Sequence, residues 1–220
     1  MKVQTPSRVA AVLTAGAIAL TALGAPGAAA TDRPVKIVAL GDSLTAGLGL
    51  PAADTFPAKL TQALAAKGLS VSIVNAGVSG DTASGGLARL NWSVPDDTDA
   101  VILELGANDA LRGIDPAVTR QALADIVRQL RARRIAVLLC GMLAPPNLGA
   151  DYTSAFNQIY PDIAAAYGAL YYPFFLSGVA AVQALNQADG LHPTAQGVDI
   201  IVTRILPSVE TLIAWARNGA

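Results

Sequence analysis

Val35-Lys36-Ile37-Val38-Ala39-Leu40, running straight into Gly41-Asp42-Ser43-Leu44, decides the fold. The first six residues are short, apolar and rich in β-branched side chains, the pattern of a strand buried in a sheet. The glycine turn that follows carries a serine just beyond the strand's carboxyl end. Similar apolar runs recur at residues 71–74, 100–105 and 135–139, and a shorter one at 169–172 stops at Pro173. All are predicted to be buried parallel strands.

Helical patterns lie between these runs. Thr55 stands where a helix cap would be, with Pro57 in the first turn and Leu60 and Leu64 on one face. Asp115-Pro116 opens a second helix, whose Leu123, Ile126, Val127 and Leu130 share a face. A third is predicted over about residues 152–167, closed by Gly168. The last begins after Thr194 and carries Ile200, Ile201 and Ile205, with Pro207 expected to kink or restart it. Alternation of this kind predicts an α/β protein with a parallel sheet covered by helices on both faces. Glycine and proline cluster after each strand, at residues 41–51, 76–86, 106–113 and 141–149, which marks that edge as the place for a site.

The amino terminus is read separately. Lys2 and Arg8 precede an apolar run of small residues over 9–23, and Ala28-Ala29-Ala30 suits a signal peptidase. A signal peptide over residues 1–30 and a single domain over 31–220 are expected. No cysteine follows the cleavage point to be acylated, and no paired arginines mark a twin-arginine route, so export to a periplasm or the exterior of a bacterium is expected. No later segment could form a stable membrane span. Without Lys2 and Arg8 the chain would hold 13 basic against 16 acidic residues, a net charge of −3. That balance does not suggest a nucleic-acid partner. The one basic cluster, Arg128, Arg131, Arg133 and Arg134, reads as a solvated helix face.

Cys140 is the only cysteine and His192 the only histidine, so an internal disulfide is excluded and a His/Cys metal centre is not expected. Cys140 ends an apolar run and reads as a buried thiol. His192 stands in Asp189-Gly190-Leu191-His192-Pro193. A serine hydroxyl needs a base to take its proton, and the base needs an acid to orient it. Ser43, His192 and Asp189 can supply all three. The oxyanion formed on attack needs donors, and the candidates are the backbone N–H of Ser43, that of Gly80 in Gly77-Val78-Ser79-Gly80-Asp81, and the side-chain amide of Asn108 in Gly106-Ala107-Asn108-Asp109. Taken singly, Gly80 could be an ordinary turn and Asn108 a helix cap.

These blocks resemble the GDSL family of lipases and esterases, and within it the SGNH hydrolases. The resemblance runs from Gly41-Asp42-Ser43-Leu44 through Asn75-Ala76-Gly77-Val78-Ser79-Gly80-Asp81-Thr82 and Gly106-Ala107-Asn108-Asp109 to Asp189-Gly190-Leu191-His192-Pro193. Gly86-Leu87-Ala88-Arg89-Leu90 and Pro146-Asn147, with Tyr152 and Phe156, look like the exported bacterial arylesterase, acyl-CoA thioesterase and lysophospholipase branch. The resemblance implies a flavodoxin-like three-layer α/β/α sandwich with a five-stranded parallel sheet. It also implies Ser43 as nucleophile and oxyanion donor, Gly80 and Asn108 as further donors, His192 as base and Asp189 as its acid. An α/β-hydrolase elbow is not present, because Thr45 stands where Gly-x-Ser-x-Gly requires its second glycine.

The expected activity is hydrolysis of a small-molecule acyl ester or thioester through an acyl-serine intermediate, with no cofactor. Removal of acetyl groups from cell-envelope carbohydrate is a second activity open to the same residues, and non-catalytic lipid or carbohydrate binding a third reading. Leu111, Ile114, Leu143, Pro145, Pro146 and Leu148 make the site loops apolar, which favours an acyl chain or aromatic group over a sugar.

Overall fold

Five strands form one sheet: β1 Val35–Gly41, β2 Val71–Gly77, β3 Ala100–Glu104, β4 Ala136–Cys140 and β5 Leu170–Tyr172. Every pairing is parallel, in the spatial order β2-β1-β3-β4-β5. The structure, a computed structural model, describes residues 1–5 and 33–219. The signal peptide expected over residues 1–30 lies, beyond residue 5, outside the described residues. All elements described here belong to the unit Thr31–Ala220.

The helices are α1 Ser43–Ala46, α2 Phe56–Ala66, α3 Ala83–Ala88, α4 Leu90–Ser93, α5 Ala107–Leu111, α6 Pro116–Ala132, α7 Ala150–Asn157, α8 Ile159–Tyr167 and α9 Ala195–Arg217. α2 and α9 pack together on one side of the sheet, and α6 packs against α3 and α8 on the other, which makes a three-layer α/β/α sandwich. Strand order reverses between β1 and β3, and in sheets of this flavodoxin-like order ligands bind beyond the carboxyl ends at that reversal.

Apolar pattern accounts for most of these elements. Each residue of β3 and β4 is buried, and β1 is buried except for Lys36. Asp115 caps α6, its Oδ1 accepting from the Ala117 N–H at 2.9 Å, and the buried Leu123, Ile126, Val127 and Leu130 recur at the spacing that one helix face requires.

Two expectations need correction, and of the two outcomes expected at Pro207 the restart does not occur. β2 is not buried but forms an edge of the sheet, and Val74 is 53% exposed. The expected helix over residues 152–167 is two helices, α7 and α8. α9 runs helically through Pro207 without restarting, its apolar face held by buried Ile201, Ile205, Val209 and Leu212 on both sides of the proline. Part of the arginine cluster is also tied to the fold: Arg131 lies 4.4 Å above the Trp215 ring, and Arg133 donates to the carbonyls of Val94 and Pro95.

The strand ends that bear the site stand level, with Gly41 of β1 beside Gly77 of β2 and Glu104 of β3. Gly77 lets β2 end against α1, since a Cβ there would lie 2.6 Å from Ala46 Cα and 2.8 Å from the Asp42 carbonyl oxygen. Backbone cannot yield as a side-chain tip can. Gly77→Ala should therefore lower stability by about 1–3 kcal/mol. Urea unfolding measures it, and a change below about 0.5 kcal/mol, the ordinary surface range, would contradict this packing.

Candidate active site

β1 ends at Gly41, and the chain turns at once into α1, of which Ser43 is the first residue. Asp42 caps that helix: its Oδ1 accepts from the Leu44 N–H at 3.0 Å. The turn holds Ser43 at the sheet edge, where its Oγ lies 2.8 Å from His192 Nε2 across 149 positions of sequence.

His192 is set by its own short loop. Asp189 Oδ2 lies 2.6 Å from His192 Nδ1, while Asp189 Oδ1 accepts from the N–H groups of Leu191 and His192 at 2.9 and 3.0 Å. Gly190 permits this return through a positive φ of 71°. The two backbone donors, then the imidazole, hold the Asp189 carboxyl down to about 2, so it stays ionised through the neutral range. The structure thus joins Ser43, His192 and Asp189 in one hydrogen-bonded chain.

The donor candidates divide into two kinds. Among the described residues, no protein acceptor engages the backbone N–H of Ser43 or of Gly80. Asn108 is different. It lies inside α5, whose cap position is Gly106, so it is not a helix cap. Its Nδ2 donates to Asp42 Oδ2 and to the Asp81 carbonyl, each at 3.0 Å. The amide is oriented, and one of its bonds must lengthen or be shared before it can serve an incoming oxyanion.

Ser43, Asn108 and His192 open on a cleft of about 430 Å³, with Leu111, Met142, Leu143, Pro145, Pro146 and Leu191 among its walls. Ile114 and Leu148, expected near the site, do not line it. Among the described residues no group of three or more His, Cys, Asp or Glu side chains is arranged to hold a metal ion.

A sequence profile of the GDSL-like Lipase/Acylhydrolase family matches residues 39–200, the span from β1 into α9 that contains every residue of this site. The chain belongs to that family. It is a serine ester hydrolase. Esterase TesA of Pseudomonas aeruginosa is 40% identical to this hydrolase over 92% of this chain and 99% of its own. Thioesterase 1/protease 1/lysophospholipase L1 of Escherichia coli is 36% identical over 84% and 87%. The crystal structure of AlinE4, an SGNH-hydrolase family esterase, is similar at 47% identity with a TM-score of 0.69, covering 81% of this chain and 96% of that one.

Several residues that hold the Ser43–His192–Asp189 cluster and its neighbouring loops together are not singled out by the sequence. Arg89 is a clamp: its guanidinium donates to the Gly41 carbonyl at 2.9 Å, the Ala76 carbonyl at 2.8 Å and Asp81 Oδ2 at 2.7 Å, tying the ends of β1 and β2 to the Gly80 loop. Gln187 Nε2 donates to Leu48 O at 2.7 Å and Pro193 O at 3.0 Å, which links the loop after α1 to the His192 loop. Asp109 accepts from the Ala83 N–H and the Thr119 hydroxyl, both at 2.9 Å, and so anchors the segment carrying Asn108. Arg89 and Asp109 stand inside the blocks Gly86-Leu87-Ala88-Arg89-Leu90 and Gly106-Ala107-Asn108-Asp109, where the sequence assigns them no role of their own, and Gln187 lies just ahead of the Asp189 loop.

Burial raises the Asp42 carboxyl to about 6, against the opposing pull of the Leu44 N–H, the Asn108 amide and His192. Because its folded value is raised, the stabilisation given by neutral Asp42 is present below the unfolded carboxyl range and lost as pH rises through about 6. Asp42→Asn carries no such proton. Between about pH 4.5 and pH 7.5 the wild type should lose more stability than Asp42→Asn. Urea unfolding of both proteins at the two pH values measures the difference, and equal losses would contradict it.

Proposed function

We propose that the enzyme hydrolyses esters and thioesters of apolar acyl or aryl groups through an acyl-serine intermediate. The observation that carries this reading is the Ser43–His192–Asp189 chain, with its 2.8 and 2.6 Å contacts, opening on an apolar cleft. Ser43 Oγ attacks the acyl carbon as its proton passes to His192 Nε2, and the carbonyl π electrons move to the oxygen. The resulting oxyanion takes the free N–H groups of Ser43 and Gly80 and the amide of Asn108. Collapse restores the carbonyl and breaks the bond to the leaving oxygen or sulfur, which receives the proton from His192. Water then attacks the acyl-serine by the same route, releasing the acid and restoring Ser43. Asp189, ionised throughout, accepts from His192 Nδ1 and keeps the imidazole oriented toward Ser43.

Names among the relatives, esterase and thioesterase/lysophospholipase, support oxygen esters and thioesters as substrates. No helix among the described residues is long and apolar enough to cross a membrane. Removal of residues 1–30 as a signal peptide, a single hydrolase domain over 31–220 and export to the periplasm or exterior belong to the same proposal.

Purified enzyme assayed on p-nitrophenyl esters, acyl-CoA thioesters, lysophospholipids and acetylated sugars tests the substrate class. Turnover of acyl esters is expected; turnover of acetylated sugars alone would overturn it. Asn108→Ala should lower kcat roughly 10²–10³-fold with KM nearly unchanged, the mark of a contact made mainly in the transition state. Asn108→Asp should be at least as damaging, since it sets a carboxylate against Asp42, the Asp81 carbonyl and the oxyanion together. Wild-type kcat in either variant would remove Asn108 from the oxyanion site.

A further inference from the structure

Glu104 is out of place by every rule that built the sheet. It ends β3, a central strand otherwise made of Ala100, Val101, Ile102, Leu103, and it is completely buried. Its strand neighbours are Gly41 on β1 and Cys140 on β4. No cation within the described residues pairs with it: the nearby guanidinium of Arg89 is directed to Gly41 O, Ala76 O and Asp81. Its Oε1 has no hydrogen-bond partner. An ionised carboxylate so placed would cost several kcal/mol in lost hydration, whereas a neutral acid costs much less.

Its other oxygen has definite partners. Thr45 Oγ1 donates to Glu104 Oε2 at 2.7 Å, and the Asp42 N–H reaches the same oxygen at 3.4 Å. Those two residues flank the Ser43-Leu44 dipeptide. Gly41, which precedes them, leaves room for the contact, since a Cβ there would lie 2.6 Å from Glu104 Oε2. The carboxyl group therefore sits directly beneath the turn that presents the proposed nucleophile.

We propose that Glu104 is a positioning residue of the hydrolytic reaction, a neutral buried carboxyl group whose Oε2 fixes the turn that carries Ser43. Burial pushes its carboxyl well above the ordinary range, and the neighbouring Asp42 charge pushes it further. The other titratable groups around it are Cys140 on β4 and Tyr160 on α8, both fully buried and both pushed up chiefly by that burial. With a proton on Glu104, the single negative charge of the pair rests on Asp42, which receives the Leu44 N–H and the Asn108 amide. Glu104 thus holds the serine turn through Thr45 and the Asp42 N–H, while the Asp42 carboxyl holds the Leu44 N–H and Asn108. The inference rests on Ser43 being the nucleophile.

Three variants and one spectrum test it. Glu104→Gln offers a neutral acceptor in the same place and should keep kcat within about threefold of wild type. Glu104→Leu removes the acceptor and leaves the buried Thr45 hydroxyl and Asp42 N–H unpaired, so the melting temperature should fall by a few degrees and kcat on the order of 10–100-fold while KM holds, because a misplaced nucleophile affects turnover and not substrate binding. Thr45→Val, which removes only the donor hydroxyl, should lower kcat severalfold and supplies the kinetic test if Glu104→Leu does not fold. Equal loss in Glu104→Gln and Glu104→Leu, or wild-type kcat in Glu104→Leu or Thr45→Val, overturns the proposal. The infrared difference spectrum of wild type against Glu104→Gln at neutral pH should contain the carbonyl stretch of an un-ionised acid, and carboxylate bands in its place overturn it as well. Ser43→Ala assayed in parallel separates the failures: an active Ser43→Ala refutes the nucleophile, whereas an inactive one beside a fully active Glu104→Leu refutes only the role of Glu104.

Discussion

The 2.8 Å contact between Ser43 Oγ and His192 Nε2 joins the first strand to the last loop, and the rest of the fold serves to bring those two ends together. A hydroxyl and an imidazole brought together from 149 positions apart exchange a proton only if both backbones are held to a fraction of an ångström. The parallel sheet achieves this by ending β1, β2 and β3 level, so that three loops emerge side by side. Gln187 then closes the gap by bonding to the loop after α1 and to the His192 loop at once.

Rigidity beneath the site comes from polar groups that a purely stabilising design would not bury. Arg89 with Asp81, Asp42 with Asn108, Glu104 with Thr45 and Asp109 with Thr119 are buried or half-buried at the sheet edge. Each such group loses hydration on folding, and each recovers part of that loss only while its partners keep their places. The same network that holds the Ser43 turn and Asn108 in place is therefore a local cost to stability, which the apolar layers of α2 with α9 and of α3, α6 and α8 offset.

Much of this was legible in the sequence because the signals are local. Apolar runs ending in glycine gave strands, periodic helices lay between them, and the lone histidine three residues after Asp189 singled out its own loop. What escaped depends on placement. Residues 71–74 look as apolar as the central strands, yet β2 lies at the edge because the chain crosses to the far side of β1. Arg89 and Gln187 are ordinary polar residues until the fold brings backbone carbonyls to them from 48 and 139 positions away. Glu104 carries a local clue of its own, a carboxylate inside an apolar run.

The central claim is that acyl transfer passes through Ser43. Mixing the enzyme with a slowly deacylating p-nitrophenyl ester, quenching during the first turnover and mapping the peptides by mass spectrometry measures it directly. Transfer through Ser43 leaves an acyl group on the peptide containing Ser43, formed together with the first equivalent of p-nitrophenol. An adduct on another residue, or steady turnover with no adduct and no initial release, would contradict it.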